Sequence, residues 1–260
     1  NIRGDHEPLA TALAAEVAMG AAALKARLLE SEALQLLILD DEGGGANTAR
    51  QGDFWTRAGR RQVSLTIPRD VPMTSFALRP DMIHPTRRLA AMLCIDIAGT
   101  ELLEEAQTMG FASRVFRPLS EMIAAHHPRA VSAEGSGWRI AFDDVEAAAD
   151  AARQIRHAFT ASDLAGAGLP LTIALKITGH FALVHMYHDS ATNSGILMGE
   201  EALLPSRLLP IVAPGVITVT EPLASALFAS GQSHHIAEFV GDPVVPATGR
   251  EVRLFAIKCG

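Results

Sequence analysis

At 260 residues the chain is long enough for one large domain or two small ones. Hydrophobic residues make up 48% and charged residues 20%, which excludes a disordered chain. With 22 Lys and Arg against 29 Asp and Glu, the formal charge is −7, the wrong sign for coating phosphates, so no nucleic-acid partner is expected.

The start at Asn1 rather than Met leads us to expect further sequence upstream. Residues 1–20 lack a basic n-region and a compact apolar core, so no signal peptide is expected. No uninterrupted apolar run reaches ~18 residues, so no membrane segment is expected and a cytoplasmic setting is. Asp5 suits an N-cap with Pro8 in the first turn, and the Ala-rich stretch Leu9–Leu29 then reads as a helix burying Leu13, Val17, Leu24 and Leu28. Residues 33–43 form a continuous apolar run closed by acid and glycine, the pattern of a strand buried on both faces of a parallel sheet. A glycine loop (Gly43–Asn47), a short helix (Thr48–Ala58) and a second strand (Gln62–Ile67) complete a βαβ unit. The loop either cradles a phosphate or is a tight connection; it lacks the spacing of a nucleotide fingerprint. The residues Arg57, Arg60, Arg61, Arg69 and Arg87–Arg88 read as solvated loop and junction charge. Residues 19–61 resemble the C-terminal half of Rossmann-like sensor domains. Residues 79–88, with Pro80 and Pro85, read as a linker, dividing the chain into 1–85 and 86–260.

The second section opens with a strand at 88–99, then two helices around 100–110 and 117–127. Two short strands follow within 129–142, about a Gly135-Ser136-Gly137 turn. A helix over 143–159 carries Val145, Ala148, Ala149, Ala152 and Ile155 on one face. Residues 169–179 read as a strand with 180–188 as its hairpin partner. A helix at 197–209, a strand at 215–220, a helix at 221–230 and two terminal strands complete the chain. The order β-αα-β-β-α-β predicts an α+β fold, a ferredoxin-like palm with an antiparallel sheet and helices on one face, preceded by the α/β segment. Cys94 and Cys259, far apart in apolar strands, read as buried thiols with no disulfide or zinc role.

The stretch AMLCIDIAGTELL (91–103) resembles the opening strand of the class III nucleotide cyclase catalytic domain. The helix at 142–152, the run Gly199–Leu227 and the closing strands at 239–257 are similar to later motifs of that family, in the same order. The resemblance implies attack of a ribose 3′-hydroxyl on the α-phosphate of a nucleoside triphosphate, assisted by two Mg²⁺ or Mn²⁺ ions on two carboxylates. It implies a dimer, homo- or heteromeric, with sites across the interface.

Carried over residue by residue, the resemblance makes Asp96 the first metal carboxylate and Arg207 the transition-state arginine. Ser136 stands where the second metal Asp belongs, Leu203 where the ribose-binding Asn belongs, and Ser132 where the base-selecting Lys belongs. Pro205 interrupts the helix that should present these groups. Asp96 suits a helix cap as well as a metal ligand, and Arg207 suits a pair with Glu200 or Glu201. Lys176, alone in an apolar strand, either contacts a phosphate or pairs at an edge. His126, His127, His180, His185, His188, His234 and His235 read as polar positions on loops and strand edges, not a zinc site. The expectation is a degenerate cyclase domain serving regulation, dimerisation or nucleotide sensing in signal transduction, with no certain cofactor. The alternative is an active cyclase using Mg²⁺ or Mn²⁺. Leu203 is expected to be buried, in a collapsed cleft or at a subunit contact.

Overall fold

The computed structural model describes residues 7–29, 31–40, 45–67, 87–189, 194–231, 235–246 and 248–259. Asp5, Gly43, Gly44, Arg69, residues 79–86 of the linker and His234 lie outside them, as do the side chains of His188 and Cys259.

The N-terminal section runs α1 (Glu7–Leu28), β1 (Gln35–Asp40), α2 (Ala46–Arg57), β2 (Gln62–Ile67). β1 and β2 pair in parallel, Gln35 opposite Gln62, as a βαβ unit requires. The sheet holds only these two strands among the described residues. The expected burial of β1 on both faces is therefore corrected. Leu37 is covered, but Leu36 and Ile38 stand 56% exposed, because no second layer among the described residues packs on their side. The linker reading is also shortened, since Arg87 and Arg88 already belong to a strand.

The second section builds one mixed sheet. Its elements are β3 (Arg87–Ala98), α3 (Glu105–Phe111), α4 (Arg117–Ala125), β4 (Ala130–Glu134), β5 (Gly137–Phe142) and α5 (Val145–Thr160). Then come β6 (Ala174–Asp189), β7 (Ser194–Met198), α6 (Glu200–Leu208), β8 (Ile217–Thr220), α7 (Glu221–Ser230), β9 (His235–Gly241) and β10 (Leu254–Cys259). The strand order is β4-β5-β3-β6-β8-β10-β9, with β7 paired to β6. This is the expected α+β palm. β6 and β8 run parallel, and α6 crosses between them on the face opposite the other helices.

Local chemistry explains the elements. Asp144 caps α5 through the backbone N–H groups of Glu146 and Ala147, and the helix buries the expected Val145, Ala148, Ala149, Ala152 and Ile155. A wide π turn at Ala112–Phe116 joins α3 to α4, next to Pro118, whose ring cannot fit a regular preceding turn. The hairpin expected at Gly179-His180 is absent: β6 is one 16-residue strand in register with β3 from Arg87↔His185 to Ala98↔Ala174. Gly179 serves packing instead. A Cβ there would stand 3.0 Å from Val219 Cγ1 and 3.1 Å from Leu223 Cδ1.

α1 packs along α7, with Ala12, Gly20 and Ala23 buried and a Cβ at Gly20 placed 1.9 Å from the Ser225 carbonyl oxygen. By length and composition alone Leu9–Leu28, 20 residues with mean hydropathy 1.4, is long and apolar enough to cross a membrane, a test that a helix packed on a protein core also passes. Thr11, Glu16, Lys25 and Arg27 break its apolar run. Arg60 is also corrected. It is no solvated charge: its guanidinium donates to the carbonyls of Phe228 and Ala229 at the end of α7, between the rings of Trp55 (5.0 Å) and Phe228 (5.2 Å).

Candidate functional site

Alternation along β3 builds the site. Ala91, Leu93, Ile95 and Ile97 enter the main core, so Ala90, Met92 and Asp96 face the other side. The β4–β5 turn lies over the end of β3. Gly135 adopts φ 57°, and a Cβ at Gly137 would meet the Ile95 carbonyl oxygen at 2.0 Å. Only this close approach brings Ser136 over the strand, where its Oγ donates to Asp96 Oδ1 at 3.2 Å. Asp96 and Ser136 are thus neighbours, as expected. Asp96 caps no helix: the following short turn, Thr100–Leu102, starts at Gly99 without a side-chain cap. Glu134, next along β4, is turned to an ion pair with Arg139.

A two-ion site needs two carboxylates. Asp96 brings one and Ser136 a neutral hydroxyl, and among the described residues no three His, Cys, Asp or Glu side chains converge. The residues present do not fit such a site. Cys94 is no substitute nucleophile, since burial pushes its thiol up to about 12.

Lys176 is the register partner of Asp96. Its ammonium donates to the Leu209 carbonyl at 3.1 Å, which is the first rung of a ladder between β6 and α6. Thr178 Oγ1 donates to the Pro205 carbonyl at 2.7 Å, and His180 Nε2 meets Glu201 Oε2 at 2.7 Å. Residues two apart on a strand advance ~6.6 Å and residues four apart on a helix ~6 Å, so the two periods stay in step for three rungs. The ladder holds α6 against β6, and the helix runs through Pro205 to Leu208 where the sequence predicted an interruption. His180 corrects its bland reading. It is 2% exposed in mid-sheet, with Nδ1 on Thr220 Oγ1 at 2.7 Å. His235, 9% exposed with Nε2 3.5 Å from Asp150, is likewise buried rather than at an open edge. Glu201 also accepts from Arg250 Nη1 at 2.8 Å. Hydrogen bonding from His180, with Arg250 helping, holds its carboxyl down at about 2.

Pattern reading gave His180 and Glu201 other roles and missed Thr220 and Arg250 altogether. The available signal was the period-two row Lys176, Thr178, His180, visible once β6 is taken as unbroken. Arg207 makes no ion pair among the described residues, so the expected pair with Glu200 or Glu201 does not form; Glu201 is already engaged. It shares the outward side of α6 with Leu203, whereas Leu204, Pro205 and Leu208 are buried. Leu203 is 37% exposed, which corrects the collapsed-cleft expectation: the helix turns it away from its own sheet.

No protein-family model matches the chain, and no curated protein matches it in sequence. Solved structures do. The chain is similar to the adenylyl cyclase CyaB from P. aeruginosa at 18% identity and TM-score 0.56, over 67% of this chain and 95% of that one. It is similar to adenylate cyclases from Trypanosoma brucei in their monomeric state at 15% identity and TM-score 0.57, over 65% and 89%. It is similar to the guanylate cyclase domain of RhGC from Catenaria anguillulae at 12% identity and TM-score 0.55, over 66% and 97%. At these identities the likeness is one of fold. With its βαββαβ palm and with Asp96 meeting Ser136 at the hairpin, the chain has the fold of adenylate and guanylate cyclase catalytic domains, the class III fold its sequence resembles.

Proposed function

We propose that this nucleotide cyclase-like chain has lost turnover and acts as a regulatory module, dimerising or sensing a nucleoside triphosphate, in a cytoplasmic bacterial signalling protein. The observation that carries this reading is the Ser136–Asp96 hydrogen bond, which puts a neutral hydroxyl where the chemistry needs a second carboxylate. Loss of one metal carboxylate removes charge stabilisation of several kcal/mol, a rate loss of about a thousandfold. Leu203 and Ser132 point the same way, since Leu203 offers no hydrogen bond to a ribose and Ser132 lacks the charge and reach of the lysine that selects the base. In this reading residues 1–85 form an accessory section on a cyclase-homology domain of residues 86–260, and the dimer is homo- or heteromeric.

The test has two arms. Binding of ATP, GTP, CTP and UTP is titrated with and without Mn²⁺, and cyclic nucleotide is measured from the same mixtures. Background-level product supports the reading. Robust product that disappears in Asp96→Ala establishes the second reading, an active cyclase using Mg²⁺ or Mn²⁺. One observation favours that alternative: the outward Arg207 makes no ion pair among the described residues, so it is available to a site on a partner subunit.

A further inference from the structure

A hollow of about 700 Å³ opens between the end of α1 and the β9–β10 edge of the sheet, far in sequence from Asp96. Its volume is that of a small-molecule site. Leu24 and Leu28 stack one turn apart on the helix wall. Phe239 and Phe255 form the opposite wall, edge to face with centroids 5.9 Å apart. Leu28 is 77% and Phe239 56% exposed, so apolar surface stands open to water.

The charges around this hollow do not cancel. Arg253 is held by Glu221 and Asp242 at 3.2 Å each, and Glu238 by Lys258. Lys25 and Arg27 remain: neither has a hydrogen-bond or ion-pair partner among the described residues, although Arg27 lies over the Phe228 ring at 5.8 Å, which leaves its charge uncancelled. They flank the Leu24–Leu28 stripe in the last turn of α1, where carbonyl ends favour cations. In a chain of formal charge −7 such an uncompensated pair calls for an anion. Arg27 also lines a second hollow of about 470 Å³, where Arg61 is paired with Glu32 and Arg60 is held by the Phe228 and Ala229 carbonyls, so the free positive charge lies on the α1 side.

We propose that this groove binds a free single-chain amphiphile, its acyl chain between Leu24, Leu28, Phe239 and Phe255 and its anionic head on Lys25 and Arg27. Charge complementarity selects the anionic head. The volume suits one chain, whereas a protein partner needs roughly 800 Å² of surface. The proposal is independent of any nucleotide at Asp96.

The experiment titrates the full chain with dodecyl phosphate below its micelle concentration, with inorganic phosphate and a neutral dodecyl glycoside as comparisons. The expected result is one saturable site for dodecyl phosphate, weaker binding of the glycoside and none of inorganic phosphate. Leu28→Glu and Arg27→Glu change exposed positions and stay folded, with a melting temperature lowered only slightly by a carboxylate at the carbonyl end of α1, and each weakens binding ~10-fold or more. Absence of saturable binding, or binding by both variants as tight as that of wild type, overturns the proposal. So does a wild-type dimer that Leu28→Glu dissolves, which makes the groove a subunit contact. Sedimentation with phosphatidylglycerol vesicles that these variants abolish, without binding of the free probe, also overturns it and assigns the groove to a bilayer.

Discussion

Ser136 tests whether one side chain separates this cleft from an ion site. In Ser136→Asp two carboxylates lie within hydrogen-bond reach, and like charges that close cannot both ionise freely. The variant is expected to melt ~3–6 °C below wild type in chelator and to recover with Mn²⁺, while wild type is indifferent to the ion. Glu201 supplies a pH dependence. Its carboxyl falls from an ordinary 4.5 to about 2 on folding, so the stability it contributes is complete above about pH 4.5 and disappears as pH falls through about 2. Between those limits the urea midpoint of wild type should drop more steeply than that of Glu201→Gln; parallel curves would remove Glu201 from the acid response. Asp96 and Ser136 were legible through the resemblance to the cyclase family, whose strand and hairpin motifs they match, and the contact itself joins one strand end to one two-glycine turn. The His180–Glu201 contact was not, because it joins separate elements and disappears once Gly179 is taken for a turn.

Elements were legible where periodicity was strong, as in α5 with its Asp144 cap and alanine face. They were misjudged where composition has two meanings. A run such as 33–43 says that a strand is apolar, but not how many layers cover it. A glycine such as Gly179 marks a turn or a close approach with equal force. An arginine such as Arg60 looks solvated until the aromatic rings that sandwich it are brought together by the fold. That residue fastens α2 and β2 to the end of α7. Removing it leaves two carbonyls and two ring faces unmatched, so Arg60→Ala is expected to cost about 1–3 kcal/mol in urea unfolding. Arg60→Lys should recover less than half, since an ammonium lacks the planar fork. Full recovery by lysine would reduce the interaction to charge alone.

Across the whole molecule the open question is what meets the outer side of α6. Leu203 is exposed within its own chain, so Leu203→Asp should change the melting temperature of a monomer by no more than the equivalent of ~0.5 kcal/mol. Light scattering decides: a wild-type dimer that this substitution converts to monomer places Leu203 at the subunit contact, and an unchanged mass excludes it. The overall palm could be expected from element order alone, whereas the placement of the N-terminal section could not, because no local pattern announces that Gly20 fits against Ser225. That placement turns α7 into a strut fixed at both ends. Thr220 ties its start to His180, and Arg60 ties its finish to the βαβ unit. A strut anchored twice releases neither support alone. Amide hydrogens of α2 and of α6 should therefore exchange with solvent in one shared opening event, and loosening the N-terminal unit should be felt at the outward face that carries Arg207.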